Sequence, residues 1–360
     1  MTVLAVVVTG CSGEGAPTGP PSSVQSYAQK ELAYLRSLST SNEFSGAVLV
    51  AVDGRPLLRT AVGFANRDSR LPNRPETRFR IGSITKALTA AAVMLLVRDG
   101  RLNLDDPACR YLASCPNGWR AVTVRNLLTH TSGIPDYLRL ITLAEFNAPT
   151  LPAALMALVA DQPMSFPPGS AYGYSNTNYV LLGLIIEHGS GLAYGDFLEQ
   201  RIFGPLGMTG SGYARDFTEV RGGATGYGYK TSSTGEVVPT DQAAFSDGGL
   251  YSTVDDLLRL DRALTDHRLL PADLEDQMFS PWGGATSGSP SRTDVGLGWQ
   301  LKRDAAGGPV VFHDGQIPGF SAAFERHLGS HVTAIVLSNF YWADTGGIAS
   351  LLAEEAPTRP

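Results

Sequence analysis

The chain has 360 residues, 43% of them hydrophobic and 17% charged, with a net charge of -6 and a pI near 5.5. This is ordinary globular usage, enough for one large domain or two modest ones, and its 40 glycines and 23 prolines imply many turns without reaching low-complexity content. The acidic balance and the lack of a Lys/Arg cluster exclude a nucleic-acid footprint, and no apolar run reaches the roughly 18 to 20 residues of a membrane-spanning helix.

Residues 1–10 are apolar and lead into Cys11. Val8-Thr9-Gly10-Cys11 resembles the lipobox of bacterial lipoproteins, so 1–10 reads as a signal remnant and Cys11 as a lipidation site, although no Lys or Arg precedes it and the apolar part is short. Residues 11–23, rich in Gly, Pro and Ser, form a tether without periodicity. On this reading the protein is extracytoplasmic, and its only link to a membrane is the anchor at Cys11.

An amphipathic helix is predicted over 24–38 through Tyr27, Leu32, Leu35 and Leu38. Two strands follow, 46–52 and 56–64, about an Asp53-Gly54 turn. The stretch 79–100 organises what comes after. Ser83 and Lys86 are three apart at the start of a helix that is apolar on almost every side from 87 to 97 and stops at Gly100. At 3.6 residues per turn both side chains share a face, so a hydroxyl and an amine can meet. A serine at a helix start is commonly only a cap, but a cap prefers Glu or Gln at the third position, whereas a lysine there opposes the helix dipole. Burial and the dipole both disfavour its charged form, which suits it to take a proton from Ser83.

Cys109 and Cys115 frame a short segment and could pair outside the cytoplasm; the alternative is two free thiols. From 105 to 244 the texture is short helical patterns and loops without clear strands, ahead of a helix at 254–264, β-rich segments at 295–301, 310–313, 320–326 and 332–338, and a last helix at 345–353. Strands from both chain ends around a helical middle predict an α+β fold. One antiparallel sheet flanked by helices would form a lobe from 24–104 and 245–360, with 105–244 inserted as an all-helical lobe and a cleft between them.

Two further motifs gain meaning beside Ser83 and Lys86. Tyr174-Ser175-Asn176 precedes a helix beginning near 177; a phenol with pKa about 10 serves as a base only if a cation stabilises its phenolate, and Asn176 can donate and accept. His313-Asp314-Gly315-Gln316 lies at a predicted strand end, where backbone N–H groups can reach an extended substrate and Gly315 permits close approach. His327 and His331 straddle a turn and read as a solvated hairpin. No metal-binding spacing is present.

The residues 79–86, FRIGSITK, look like the nucleophile segment of class C β-lactamases, DD-carboxypeptidases and related serine esterases. With the Y-x-N and H-x-G motifs, Leu-Leu-Thr-His-Thr-Ser-Gly at 127–133, Pro-Gly-Ser at 168–170, Gly-Gly-Leu-Tyr-Ser at 248–252 and Gly-Leu-Gly-Trp at 296–299, the chain resembles serine β-lactamase-related hydrolases from about 24 to 355. The resemblance implies a sheet lobe and a helical lobe, no metal or cofactor, and an acyl-enzyme at Ser83. It also implies that Lys86 and Tyr174 share the base role, that Asn176 positions them, and that the N–H groups of Ser83 and Gln316 form an oxyanion hole. The β-lactamases of the group usually carry Lys-Thr-Gly where this chain has His313-Asp314-Gly315. Three activities compete: an ester or D-peptide hydrolase on small-molecule or peptide substrates, a β-lactamase, and a non-catalytic penicillin-binding sensor. The missing lysine favours neutral esters or amides. His313, with an ordinary pKa of about 6.5, would gain charge in mild acid and improve anionic substrates, and Asp314 would repel them if it faces the site.

Overall fold

In the computed structural model, residues 22–141, 152–214, 220–229, 237–239, 244–282 and 294–357 are described; Cys11 and the tether to residue 21 lie outside them. Strands β1 (Gly46–Val52) and β2 (Arg55–Val62) turn about Asp53 and Gly54 at φ +48° and +67°. Both central residues of so tight a hairpin need positive φ, and Asp-Gly tolerates it. The C-terminal part supplies β3 (Asp294–Val295), β4 (Gln300–Arg303), β5 (Pro309–Ile317), β6 (Phe320–His327) and β7 (Val332–Ser338). They form a seven-stranded antiparallel sheet in the order β3-β4-β5-β6-β7-β1-β2. The first strand therefore lies against the last, with Gly46 opposite Ser338 and Val52 opposite Val332.

β1 is apolar along its whole length, and β7 is so but for Thr333 and Ser338, because both faces are covered. Val48 and Val50 point to one side, into a core with Tyr27 and Leu35 of α1 (Ser22–Thr40) and Ile348 and Leu352 of the C-terminal helix Thr345–Glu354. Ala47, Leu49 and Ala51 point to the other, into the larger core that includes α2 (Thr85–Arg98) and α3 (Asn176–Ser190). The alternation of one strand thus joins two layers of helix to one sheet.

Several expectations need adjustment. The β-rich segment 295–301 is two strands about a turn in which Gly298 has φ +79°, and a Cβ there would meet Ala90 Cβ at 2.3 Å and the Lys86 carbonyl at 3.0 Å. The third motif is not at a strand end, for β5 continues through it to Ile317. Short strands at Gly212–Tyr213, Tyr227–Tyr229 and Val237–Pro239 accompany the helices of the middle; they are too brief to carry a period-two pattern. Of the two histidines at the β6–β7 turn only His331 is exposed: His327 is buried, its Nε2 lying 3.3 Å from Glu325 and its Nδ1 3.6 Å from Asp304. Cys109 and Cys115 are bonded, their Cα atoms 5.3 Å apart. Among the described residues no helix is long and apolar enough to cross a membrane.

Candidate active site

Gly82–Ile84 forms a single 3-10 turn that leads into α2, and Gly82 enters it at φ +50°. The turn abuts β5 backbone to backbone: a Cβ on Gly315 would lie 1.9 Å from the Ile81 carbonyl and 3.1 Å from the Ser83 nitrogen, and one on Gly82 would lie 2.7 Å from the Gln316 nitrogen. No side chain fits between them. Two glycines thus bring Ser83 and its amide beside the amide of Gln316.

Lys86 is fully buried and spends its three protons on three acceptors: Ser83 Oγ at 2.9 Å, Asn176 Oδ1 at 2.8 Å and the Asp247 carbonyl at 2.6 Å. Tyr174 donates its hydroxyl to Ser83 Oγ at 2.9 Å, and Lys86 Nζ lies 5.0 Å from the centre of its ring. Ser83, Lys86, Tyr174 and Asn176, spread over more than ninety positions of sequence, meet within one hydrogen-bonded cluster. The Lys86 bond to Asn176 and the Tyr174 bond to Ser83 tie the start of α2 to the start of α3.

A second layer holds these groups. Asp136 receives the Asn176 backbone N–H at 3.2 Å and its side-chain amide at 3.1 Å, which orients Oδ1 toward Lys86; burial raises the pKa of this carboxyl. Tyr137 donates to Asp247 Oδ2 at 2.8 Å, securing the loop whose carbonyl meets Lys86, and burial pushes its phenol far upward so that it stays neutral. The residue types alone did not mark Asp136, Tyr137 or Asp247 as part of a site. The available signal was their position just after Thr-Ser-Gly and just before Gly-Gly-Leu-Tyr-Ser, stretches too unusual for plain loops.

The third motif behaves differently from the expectation. His313 is buried and gives its Nδ1 proton to the Asp314 carbonyl at 2.7 Å. Burial, with the Lys86 cation nearby, holds its pKa down to about 3, so mild acid does not charge it. Asp314 does not face the site: it is the next residue along a strand and points to the other side of the sheet, where a Cβ on Gly346 would be 3.4 Å from its carboxylate. The Gln316 side chain leads away, its amide donating to the Tyr341 carbonyl at 2.9 Å, and leaves only its backbone beside Ser83.

Residues 33–345 match the Beta-lactamase family model. The chain belongs to the Beta-lactamase family. Among its relatives, Penicillin-binding protein 4* of Bacillus subtilis (strain 168) is 32% identical over 320 residues, covering 84% of this chain and 70% of that protein. The crystal structure of a penicillin binding protein from Bacillus halodurans superposes with a TM-score of 0.79 at 28% identity, over 89% of this chain and 98% of that one. D-amino acid amidase from Ochrobactrum anthropi SV3, complexed with L-phenylalanine amide, gives 0.77 at 25% identity over 93% and 98%. This Beta-lactamase family member is a serine hydrolase, with the large antiparallel sheet and flanking helices of the β-lactamase/transpeptidase-like fold. Among its described residues no group of three or more His, Cys, Asp and Glu could hold a metal ion.

Proposed function

We propose that this enzyme hydrolyses neutral amides or esters of D-amino-acid type, with Ser83 as the acylated residue. The observation that carries the reading is the cluster itself, in which one serine hydroxyl touches both an amine and a phenol. The reacting form holds one proton fewer in the Lys86/Tyr174 pair, as a neutral amine beside the phenol or a lysine cation beside the phenolate. In the first step the Ser83 proton passes into that vacancy as Oγ bonds to the substrate carbonyl carbon. The negative charge on the carbonyl oxygen meets the N–H groups of Ser83 and Gln316, which the glycine contact brings side by side. The C–N or C–O bond then breaks, the leaving group takes the proton, and water repeats the sequence on the acyl-enzyme. Lys86 and Tyr174 belong to segments 24–104 and 105–244, which supports reading these, with 245–360, as two lobes around the site.

The neutral His313 supports amides and esters over β-lactams and D-Ala-D-Ala ends, whose carboxylates a lysine would meet with full charge. A sensor without turnover has less support, because the base pair is intact. The bacterial penicillin-binding relatives support an extracytoplasmic location, and Val8-Thr9-Gly10-Cys11 supports an anchor at Cys11; membrane partition that survives Cys11→Ser would remove the anchor. Intact mass after treatment with a fluorophosphonate tests the central claim: one adduct on the wild type and none on Ser83→Ala. An undiminished adduct on Ser83→Ala would overturn it.

A further inference from the structure

His130, in the Leu-Leu-Thr-His-Thr-Ser-Gly stretch, touches neither Ser83 nor Lys86, yet it grips Tyr174 from both sides. Its carbonyl accepts the Gly173 N–H at 2.9 Å and its Nδ1 accepts the Ser175 N–H at 3.2 Å, so the residues flanking Tyr174 are bonded to one histidine. Its ring lies against the Tyr174 ring with centroids 4.4 Å apart and planes tilted by 32°. The backbone holds φ +54°, a region a non-glycine residue enters only when its surroundings require it.

These bonds also fix the tautomer. Asn178 Oδ1 accepts the Ser132 hydroxyl at 2.6 Å, which leaves its amino group to donate to His130 Nδ1 at 3.2 Å. Nδ1 is therefore an acceptor twice over, and the ring proton is on Nε2. His313 is the mirror case, since its Nδ1 donates to a carbonyl and its Nε2 carries a lone pair. Both rings line a cavity of about 10 Å³ together with Tyr174 and Trp299, whose buried indole N–H has no partner among the described residues. That volume is room for one water, and the residues lining it carry two ring N–H donors and one imidazole acceptor.

We infer that His130 is the positioning residue for Tyr174, and that His130 and His313 in opposite neutral tautomers hold one buried water with Trp299 behind the phenol. The inference rests on the reading of Tyr174 given above. The water accepts from His130 Nε2 and Trp299 Nε1 and donates to His313 Nε2, which links the loop carrying Tyr174 to the strand carrying Gln316. Such a link keeps the base and the oxyanion donors at a fixed separation.

Side-chain ¹⁵N spectra of the wild type should show His130 protonated on Nε2 and His313 on Nδ1, both unchanged from pH 8 to pH 5. Trp299→Phe should move both Nε2 signals. His130→Phe keeps a ring against Tyr174 but loses the Nδ1 acceptor; its acylation rate should fall about tenfold to hundredfold with KM nearly unchanged, as a displaced catalytic group predicts. His130→Asn restores an acceptor to the Ser175 N–H and should recover part of that rate, which a general loss of packing would not. A His130→Phe variant that acylates at the wild-type rate, or a wild-type His130 protonated on Nδ1, would overturn the positioning role. Nε2 signals indifferent to Trp299→Phe would overturn the water. If His130→Phe does not fold, the tautomers and His130→Asn decide. A wild type that forms no Ser83 adduct would overturn the site assignment instead, and the tautomers, measured without substrate, still judge His130.

Discussion

Lys86 beside Ser83 and Arg326 near the opposite end of β6 are both buried cations, and they are held in contrasting ways. Arg326 places Nε 2.6 Å from the Asp261 carboxylate and Nη2 3.0 Å from Thr265, and its Nη1 has no partner among the described residues. Lys86 fills all three of its bonds with a hydroxyl, an amide and a backbone carbonyl, none of them a carboxylate. A guanidinium stays charged, so its counter-ion is part of the fold. An amine held by neutral acceptors can pass a proton without stranding a buried anion. Buried charge alone therefore does not mark chemistry; the kind of partner does.

The contrast can be broken most severely at the lysine. Lys86→Ala and Tyr174→Phe should each lower kcat by roughly 10² to 10⁴-fold, the worth of general-base catalysis, and the double variant should lose far less than the product. Single-turnover acylation measures this, and clean multiplication would mean that the two groups act separately. At the arginine the effect should fall on stability. Asp261→Ala leaves a buried unpaired guanidinium, a change that costs about 3 to 5 kcal/mol in denaturant unfolding, while kcat per folded molecule holds. Asp261→Leu with Arg326→Met should regain most of the loss, and a kcat that falls with either would tie this cluster to the site.

A smaller effect is expected at the third motif. His313→Lys with Asp314→Thr should raise cephalosporin hydrolysis relative to a short nitrophenyl ester by about one to two decades, the value of one charge-assisted hydrogen bond. The wild type should gain nothing on anionic substrates between pH 7 and pH 5, because His313 stays neutral down to about pH 3. The smallest effect is on the melting temperature. His130 and His313 are neutral when folded but ionise near pH 6.5 when unfolded, so their contribution is complete above pH 6.5 and is lost as pH falls below it, toward about 3 for His313. His313→Asn should flatten that acid limb of a melting series, and an unchanged slope would show that other groups set it.

Ser83, Lys86 and Tyr174 were legible because chemistry fixes their types and a helix fixes the spacing of the first two. The sheet was legible from strands such as 46–52 and 332–338, whose apolar runs and Asp53-Gly54 turn have few other uses. What escaped depends on contacts that no local pattern encodes. The neutrality of His313 comes from burial next to Lys86, 227 positions away in the chain, and the outward aim of Asp314 follows from a strand longer than its apolar part. Asp136, Tyr137 and Asp247 are ordinary loop residues until the fold closes around Asn176 and Lys86. His130 was spelled within a motif, but its grip on Tyr174 needs the return of residues 173–175 to its side.

The pairing of β1 with β7 also orders events during synthesis. Half of the hydrogen bonds that β1 can make are to a strand that leaves the ribosome near the end of translation. At 5 to 20 residues per second the earlier strand waits roughly 15 to 60 s for its neighbour. Gln316, too, is added long after Ser83, so for most of synthesis the Ser83 amide lacks the Gln316 amide that the finished fold sets beside it. Premature termination anywhere before Val332 should leave β1 with an open edge, and termination before Gln316 should also abolish acylation of Ser83.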